Sequence, residues 1–168
     1  ASNTAEPRVF FYAAGKANVV WSGISDGYSV ESNAFTGAGW TVKETRDHTG
    51  DANPGPRIYS NGYNVSYAVW RNEGGECSTT AEVYGALIDE ASWGSKEMLS
   101  IDCNGDFDDG LQDIAFRIGD AGEAFAVWQE NQGQVLAIRY SSSWGSGSVL
   151  SQINGDDPRV AVDASGNA

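Results

Sequence analysis

The amino-acid sequence predicts an all-β fold built from repeated four-stranded antiparallel units. The first support is a set of tryptophans that align without a gap, Trp21, Trp70 and Trp128. A second set follows the first by 19, 23 and 16 residues, at Trp40, Trp93 and Trp144. Around these positions apolar and polar residues alternate with period two, which is the pattern of strands. Every tryptophan of the chain belongs to one of the two sets, so the repetition extends over most of the sequence.

The gapless alignment also sets the boundaries of the repeats. Three copies start fourteen residues before a tryptophan of the first set, at Pro7, Pro56 and Ile114. A fourth copy starts at Pro158, near the end of the sequence. We therefore divide the single domain, residues 1–168, into repeats 7–55, 56–113 and 114–157 and an incomplete repeat 158–168. The spacings of 49, 58 and 44 residues lie in the range of solenoid repeats and propeller blades.

Each repeat begins with two strands joined by a tight turn. In the second repeat, residues 56–60 form the first predicted strand and residues 65–70 the second. The turn carries a column of glycine and asparagine, Gly15, Asn64, Gly122 and Gly166. These are the residue types that a left-handed backbone position favours. The second strand carries small residues and tryptophan on one face and a valine column on the other, Val20, Val69 and Val127. Both faces are therefore predicted to be buried between neighbouring sheets.

Two further strands complete each repeat. The third predicted strands are residues 28–35, 82–88 and 134–140, and the fourth are residues 41–45, 96–101 and 148–153. No segment shows the 3.6-residue period of a helix. Four antiparallel strands in 44 to 58 residues are typical of a β-propeller blade. A β-sandwich is the competing all-β fold, but it does not require tryptophan, glycine and valine columns to recur in register.

The segments PRVAVDASGNA, GEAFAVWQE and GQVLAIRYSSSWG carry a resemblance to a known family. They resemble the blade repeats of bacterial extracytoplasmic β-propeller proteins, in which a Pro-x-Val-Ala-Val-Asp-x-x-Gly-x-Ala-x-Ala-Val-Trp strand pair precedes a Tyr-Ser-x-x-x-Gly-Trp turn. The resemblance is strongest in residues 114–168 and weakest in residues 70–113. It implies a propeller fold and a secreted, periplasmic or cell-surface location. It implies no particular activity, because propellers host unrelated functions.

Three repeats and the start of a fourth are fewer than the four to eight blades of a closed propeller. Ring closure therefore requires either further blades of the same protein or blades from another chain. We favour further blades of the same protein, because an exposed and unpaired sheet edge promotes aggregation.

The charge of the chain restricts its partners. Ten lysines and arginines against 23 aspartates and glutamates give a net charge of −13. Such an acidic surface repels nucleic acid and anionic lipid, and we expect neither as a partner. No apolar run approaches the roughly 20 residues of a membrane-spanning helix. Cations and neutral ligands are compatible with the charge, and the alternative is a solvated acidic surface without a partner.

The connections between repeats are acidic and glycine-rich, at residues 47–53, 102–113 and 154–157. In a propeller these connections lie on the same face as those between second and third strands. This arrangement places Cys77 and Cys103 on one face, and we predict a disulfide between them, with two free thiols as the alternative. The bridge would close a loop of about 26 residues, stabilise the fold by roughly 3 kcal/mol and indicate an oxidising compartment.

The segment from Asp102 to Asp113 predicts a calcium site. Its oxygen-bearing residues at nearly alternate positions are Asp102, Asn104, Asp106, Asp108 and Asp113. Calcium takes six to eight oxygen ligands, which such a segment can supply. The spacing resembles the Asp-x-Asn-x-Asp loops of EF-hands and of integrin-type propeller repeats, although Phe107 stands where an EF-hand has glycine. The alternative is a solvated acidic loop.

Residues for catalysis are few. His48 is the only histidine and lies in a predicted loop, so we expect no catalytic triad and no zinc site. Paired carboxylates for glycoside hydrolysis are not marked by any pattern. The aromatic residues outside the repeated columns, Tyr28, Tyr63 and Phe107, are the candidates for ligand contact.

The sequence therefore favours a secreted or cell-surface binding module or scaffold over an enzyme. Its loops on one rim would contact a glycan or a protein, with calcium as the candidate cofactor. One alternative is a fragment of a propeller enzyme that acts on polysaccharide. Another is a structural repeat spacer within a large surface protein.

Overall fold

The structure is a computed structural model of the chain. It describes residues 7–24, 28–49, 55–60, 65–73, 81–101, 115–119, 123–130, 134–141, 143–151, 158–163, 165 and 167–168. These residues form thirteen strands arranged in three antiparallel sheets, one for each full repeat. Within the described ranges no helix is long and apolar enough to cross a membrane. The prediction of an all-β chain made of repeated antiparallel units is confirmed.

Sheet 1 is formed by the first repeat. Its strands pair in chain order and are β1 (Arg8–Ala13), β2 (Lys16–Gly23), β3 (Tyr28–Phe35) and β4 (Glu44–Thr49). Gly15 in the turn between β1 and β2 has a φ of 69°, which confirms the predicted left-handed glycine. The other members of that turn column lie outside the described residues.

The fourth strand of sheet 1 corrects the sequence prediction. Residues 47–49 were predicted to belong to an acidic loop, but they lie in β4, where Asp47 pairs with Val30. The strand begins at Glu44, four residues after Trp40, and not at the predicted residue 41, and a bulge between Val30 and Glu31 shifts its register with β3. Asp47 is therefore a buried strand residue, and its neighbour His48 is exposed.

Sheet 2 is formed by the second repeat and contains five strands. They are β5 (Arg57–Ser60), β6 (Val65–Glu73), β7 (Ala81–Asp89), β8 (Ser92–Trp93) and β9 (Glu97–Ile101). The two-residue strand β8 folds back on the end of β7, where Trp93 pairs with Ile88. Strand β9 pairs with the first half of β7, from Glu82 to Gly85. Glu90, in the turn between β7 and β8, has a φ of 53°, a left-handed conformation that is unusual for glutamate.

Sheet 3 is formed by the third repeat. Its strands pair in chain order and are β10 (Ala115–Ile118), β11 (Ala124–Glu130), β12 (Gln134–Tyr140) and β13 (Ser148–Ser151). The fourth repeat is described at residues 158–163, where the backbone forms no strand. The predicted four-stranded unit is thus present three times.

The three sheets share one register, which confirms the gapless alignment. Equivalent partners on the first two strands are Val9 with Val19, Ile58 with Ala68 and Phe116 with Ala126. Each sheet also has a register shift between its third and fourth strands, next to Val30, Val83 and Val135. The second tryptophan pairs with the end of the third strand in every sheet, as Trp40 with Phe35, Trp93 with Ile88 and Trp144 with Tyr140.

The first strands of the three sheets lie beside one another, with β5 contacting both β1 and β10. Aromatic rings occupy this junction. The ring of Tyr59 lies 6.1 Å from that of Phe10 and 5.0 Å from that of Phe116, measured between centroids. Phe116 is fully buried and also contacts Tyr67 of sheet 2. One hydrophobic core therefore extends across all three sheets.

The tryptophan face of each second strand packs differently in sheet 1 and in the other two sheets. Trp70 and Trp128 are each 1% exposed, as predicted for core residues. Trp21 is only half-buried, and Phe11 on the same face is 67% exposed. The predicted burial of both strand faces is confirmed for sheet 2. In sheet 3 it is confirmed for the Trp128 face and for Val127, whereas Phe125 on the Val127 face is half-buried. For sheet 1 it is wrong on the Trp21 face, because no described sheet packs against that face.

Candidate functional site

A pocket of about 150 Å³ lies between the last strand of sheet 1 and the body of sheet 2. Its lining residues are Thr45, Arg46, Trp70, Ala86, Trp93, Gly94 and Lys96. Because the lining comes from both sheets, the pocket exists only when the two repeats pack together. We call it the inter-sheet pocket.

A buried carboxylate fixes one wall of the inter-sheet pocket. The indole Nε1 of Trp70 donates a hydrogen bond of 2.8 Å to Oδ2 of Asp47, and Nζ of Lys96 donates one of 2.8 Å to Oδ1. The Asp47 side chain is 8% exposed and that of Lys96 is 38% exposed. A buried carboxylate is costly unless it is paired and hydrogen-bonded, and here both of its oxygens accept a bond from sheet 2. Asp47 therefore joins the two sheets.

Arg46 also lines the pocket. Its Nε donates a 2.7 Å hydrogen bond to Oγ of Ser32, and one of its terminal nitrogens lies 2.6 Å from a carboxylate oxygen of Glu44. These contacts hold the guanidinium 4.8 Å from the centre of the Trp93 ring. Partial burial lowers the pKa of Arg46, and the charge of Glu44 opposes that shift. The stacked Arg46–Trp93 pair gives the pocket a flat cationic and aromatic wall.

Lys96 has a second role at the aromatic side of the pocket. Its Nζ lies 4.4 Å from the centre of the Tyr84 ring while it also bonds Asp47. The rings of Trp70 and Trp93 are 6.3 Å apart between centroids. The pocket thus combines aromatic surface with two cationic side chains, and the Asp47 carboxylate behind it bonds two of the lining residues, Trp70 and Lys96.

Within the described part of the chain, the Trp–carboxylate–Lys arrangement is seen in sheets 1 and 2. In sheet 1, Trp21 Nε1 donates a 2.8 Å hydrogen bond to Glu31, and Nζ of Lys43 donates one of 2.6 Å to the other oxygen of Glu31. Gly23 leaves the space for this carboxylate, because a Cβ there would lie 2.3 Å from Cδ of Glu31. In sheet 1 the carboxylate, Glu31, belongs to the same sheet as its tryptophan and lysine. The tryptophan and lysine of sheet 2 instead bond Asp47 of sheet 1, so this second arrangement joins two repeats.

Four residues around the pocket were not predicted from the sequence as members of a site: Arg46, Asp47, Trp93 and Lys96. One signal was present, because Lys43 and Lys96 each stand three residues after a tryptophan of the second set. The third repeat has Gly147 at that position. Arg46 and Asp47 were misplaced because β4 was predicted too early, although β4, β9 and β13 all begin four residues after a tryptophan of the second set.

The structure places only one of the predicted site residues. Tyr28 is the first residue of β3, is half-buried, pairs with Thr49 and does not line the inter-sheet pocket. The other predicted contacts Tyr63 and Phe107, the cysteines Cys77 and Cys103 and the calcium candidates Asp102, Asn104, Asp106, Asp108 and Asp113 lie outside the described residues. Among the residues that are described, no three His, Cys, Asp or Glu side chains group together as metal ligands. The disulfide and the calcium site stay predictions.

Comparison with known proteins adds no family to this description. No protein-family model matches the chain, and no curated protein is similar to it.

Proposed function

We propose that the three sheets are blades of a β-propeller and that the chain is the binding part of an exported bacterial protein. The shared register of the sheets supports the blade assignment, since a propeller repeats one four-stranded sheet around an axis. The side-by-side packing of β1, β5 and β10 supports it as well, because the first strands of blades surround that axis. Further blades, from the same protein or another chain, would complete the ring.

We infer that the inter-sheet pocket binds a single residue of a glycan. The observation that carries this proposal is the Arg46 guanidinium held 4.8 Å over the Trp93 ring at the pocket. An aromatic ring with a few fixed polar groups is the usual lining of a ligand pocket. Sugar hydroxyls accept hydrogen bonds, so they match the guanidinium of Arg46 and the ammonium of Lys96 in the lining. At about 150 Å³ the pocket is smaller than the roughly 300 to 1,000 Å³ of sites for drug-sized ligands, which favours one sugar residue of a longer chain.

The state of Asp47 favours binding over hydrolysis. A glycosidase needs two carboxyl groups that exchange protons with the substrate and with water. Both oxygens of Asp47 already accept hydrogen bonds, from Trp70 and from Lys96. The Asp47 carboxylate therefore joins the two sheets and has no oxygen without a hydrogen-bond donor.

Substitution at Trp93 tests the proposal directly. We expect Trp93→Ala and Arg46→Ala to weaken binding of any glycan that the full chain retains on a diverse glycan array, by roughly 30-fold or about 2 kcal/mol, because both remove the flat wall of the pocket. Affinities would be measured by isothermal titration with the selected oligosaccharide. The matched control is Trp40→Ala, at the same repeat position in sheet 1, where the side chain is 59% exposed and does not line the pocket.

Unchanged affinity in Trp93→Ala, or equal losses in Trp93→Ala and Trp40→Ala, contradicts the pocket as the binding site. If the array retains no glycan at all, the structural-spacer alternative gains support. Release of reducing ends from a retained polysaccharide would instead indicate an enzyme.

Calcium is proposed as a structural ligand of residues 102–113. We expect 1 mM CaCl₂ to raise the melting temperature of the chelator-treated chain by several degrees, since a cation that binds only the folded state stabilises it by mass action. Scanning calorimetry with and without EDTA measures the shift, and Asp106→Asn with Asp108→Asn should abolish it. A melting temperature that does not respond to the chelator would remove calcium from the proposal.

A further inference from the structure

The Trp21 face of sheet 1 exposes large apolar side chains. Phe11 on this face is 67% exposed, and Val9, two residues earlier on the same strand, is 55% exposed. Phe35 lies on the same face, because Phe11 and Phe35 pair with the same residue of β2. The ring of Phe35 lies 5.4 Å from that of Trp40, measured between centroids. Trp40, which is 59% exposed, therefore extends the Trp21 face.

The equivalent faces of the other two sheets are covered by a neighbouring sheet. In sheet 2, Trp70 is 1% exposed and bonds Asp47 of sheet 1. In sheet 3, Trp128 is also 1% exposed, and the ring of Trp144 lies 5.8 Å from that of Tyr67 of sheet 2. Within the described part of this chain, such a face is therefore covered by another sheet of the same repeat.

One residue of each fourth strand stands at the register shift with the third strand. In β4 it is Arg46, which stacks on the second tryptophan of sheet 2. In β9 it is Leu99, which is buried in the core shared by the three sheets. In β13 it is Leu150, which is 63% exposed, and the residues described after sheet 3, 158–163, form no strand. The chain thus presents the two halves of this contact on opposite sheets, Leu150 on sheet 3 and Trp40 on sheet 1.

The hydrogen bond of Trp21 restricts which sheet can cover its face. Trp70 bonds the carboxylate of Asp47 from the preceding sheet, whereas Trp21 bonds Glu31 of its own sheet. The Glu31 side chain is 5% exposed and already ion-paired, so a second carboxylate brought to this place would be repelled. A covering sheet must therefore lack an acid at the register position of Asp47. Sheet 3 meets this condition, because it has Ser151 at that position.

We propose that the Trp21 face binds sheet 3 of a second copy of this chain, with Leu150 of one copy against Trp40 of the other. This inference rests on the proposed assignment of the sheets as blades, and it names the partner that continues their packing. Because two different surfaces meet, the association is head-to-tail, and it either closes into a ring or extends into longer assemblies. The Trp21 face shares no residue with the lining of the inter-sheet pocket.

Sedimentation velocity of the full chain tests the association. We expect a monomer below about 1 µM and association at concentrations on the order of tens of µM, as for an interface of small area. Unfolding of variants at the lower concentration then measures the stability of one copy. Raising NaCl from about 50 to 300 mM should strengthen the association, because salt screens the repulsion between two chains of net charge −13. A chain that stays monomeric over the whole range overturns the proposal.

Single substitutions locate the two halves of the interface. We expect Trp40→Ala and Leu150→Ala each to weaken the association roughly tenfold, because each removes a large apolar side chain that is buried only when two copies meet. The matched control is Met98→Ala, an exposed apolar residue of sheet 2, which lies between the other two sheets. Melting temperatures equal to that of the parent chain show that a loss of association does not come from unfolding. An equal loss in Met98→Ala contradicts the proposed interface.

A mixture of the two variants tests the head-to-tail direction. Trp40→Ala keeps the Leu150 half and Leu150→Ala keeps the Trp40 half, so one intact interface can form between unlike copies. We expect the equimolar mixture to form a dimer with the affinity of the parent chain and nothing larger. If the Trp21 faces of two copies bound each other instead, Leu150→Ala alone would associate like the parent chain, and this result would overturn the proposal.

Association and glycan binding are measured separately, so failure of one proposal is distinguished from failure of the other. A parent chain that stays monomeric but binds its glycan overturns only the second copy as partner. A chain that associates but binds no glycan overturns only the function of the inter-sheet pocket. Head-to-tail growth without a defined size contradicts the blade assignment, since stacked blades close into a ring. A polysaccharide whose binding is lost in Trp40→Ala would assign the Trp21 face to a glycan and overturn the second copy as its occupant.

Discussion

Trp70→Ala is expected to destabilise the chain by about 3 to 5 kcal/mol, the cost of removing a large aromatic side chain from a packed core. Trp70 is 1% exposed, contacts Tyr84 and Trp93, and donates the hydrogen bond that holds Asp47. Urea unfolding monitored by circular dichroism measures the loss in free energy of unfolding.

Two tryptophans of the same repeated pattern serve as controls for Trp70→Ala. Trp21 is equivalent to Trp70 but half-buried, so Trp21→Ala should cost about 1 to 2 kcal/mol. Trp40 is 59% exposed, and Trp40→Ala should change the stability by about 0.5 kcal/mol or less. A loss at Trp21 as large as that at Trp70 would contradict the packing described for sheet 1, since it would mean that the Trp21 face is covered.

Asp47→Ala is expected to cost about 2 to 3 kcal/mol. It removes the acceptor of Trp70 and the ion-pair partner of Lys96, and both groups then lack the bonds that join sheet 1 to sheet 2. Breaking a fully buried ion pair costs about 3 to 5 kcal/mol. The value here is lower because the Lys96 side chain is 38% exposed and regains solvent.

A double-mutant cycle distinguishes this interaction from a general loss of packing. Asp47→Ala and Lys96→Met should show a coupling energy of about 1 kcal/mol in urea unfolding. Glu44→Ala is the surface control, because its pair with Arg46 has a carboxylate side chain that is 53% exposed and contributes about 0 to 1 kcal/mol. Additive effects of Asp47→Ala and Lys96→Met would mean that Asp47 does not depend on the lysine.

Much of the fold could be predicted because the relevant information is local and repeated. The tryptophan columns place Trp70 and Trp128 in the core, and the alternation along residues 65–70 and 134–140 predicts strands that the structure contains. The left-handed Gly15 follows from the steric freedom of glycine. The position of β4 was predicted incorrectly although the sequence contained the signal, because β4, β9 and β13 all begin four residues after a tryptophan of the second set and the predicted residues 41–45 did not follow that offset.

The candidate site was less predictable than the fold. Tyr28 was selected because it lies outside the repeated columns, but it does not line the pocket. Trp93 lies inside a repeated column, and its repetition indicates packing rather than ligand contact. The difference between Trp93 and its equivalent Trp40 comes from Arg46, which belongs to the preceding repeat and stacks on Trp93 across the interface.

The sequence by itself determined the all-β class, the three repeated units, the strand faces and the acidic charge of this chain. Strand periodicity and the repeated columns depend on the order of residues within each repeat, so they can be read without the structure. The tertiary structure alone decided which charged residues meet. Asp47 bonds Trp70 and Lys96 from another repeat, and Arg46 stacks on Trp93 across the same interface. The packing of neighbouring sheets brings together side chains that are more than 20 residues apart in the sequence. The pattern within one repeat does not specify which side chains of the next repeat it will contact.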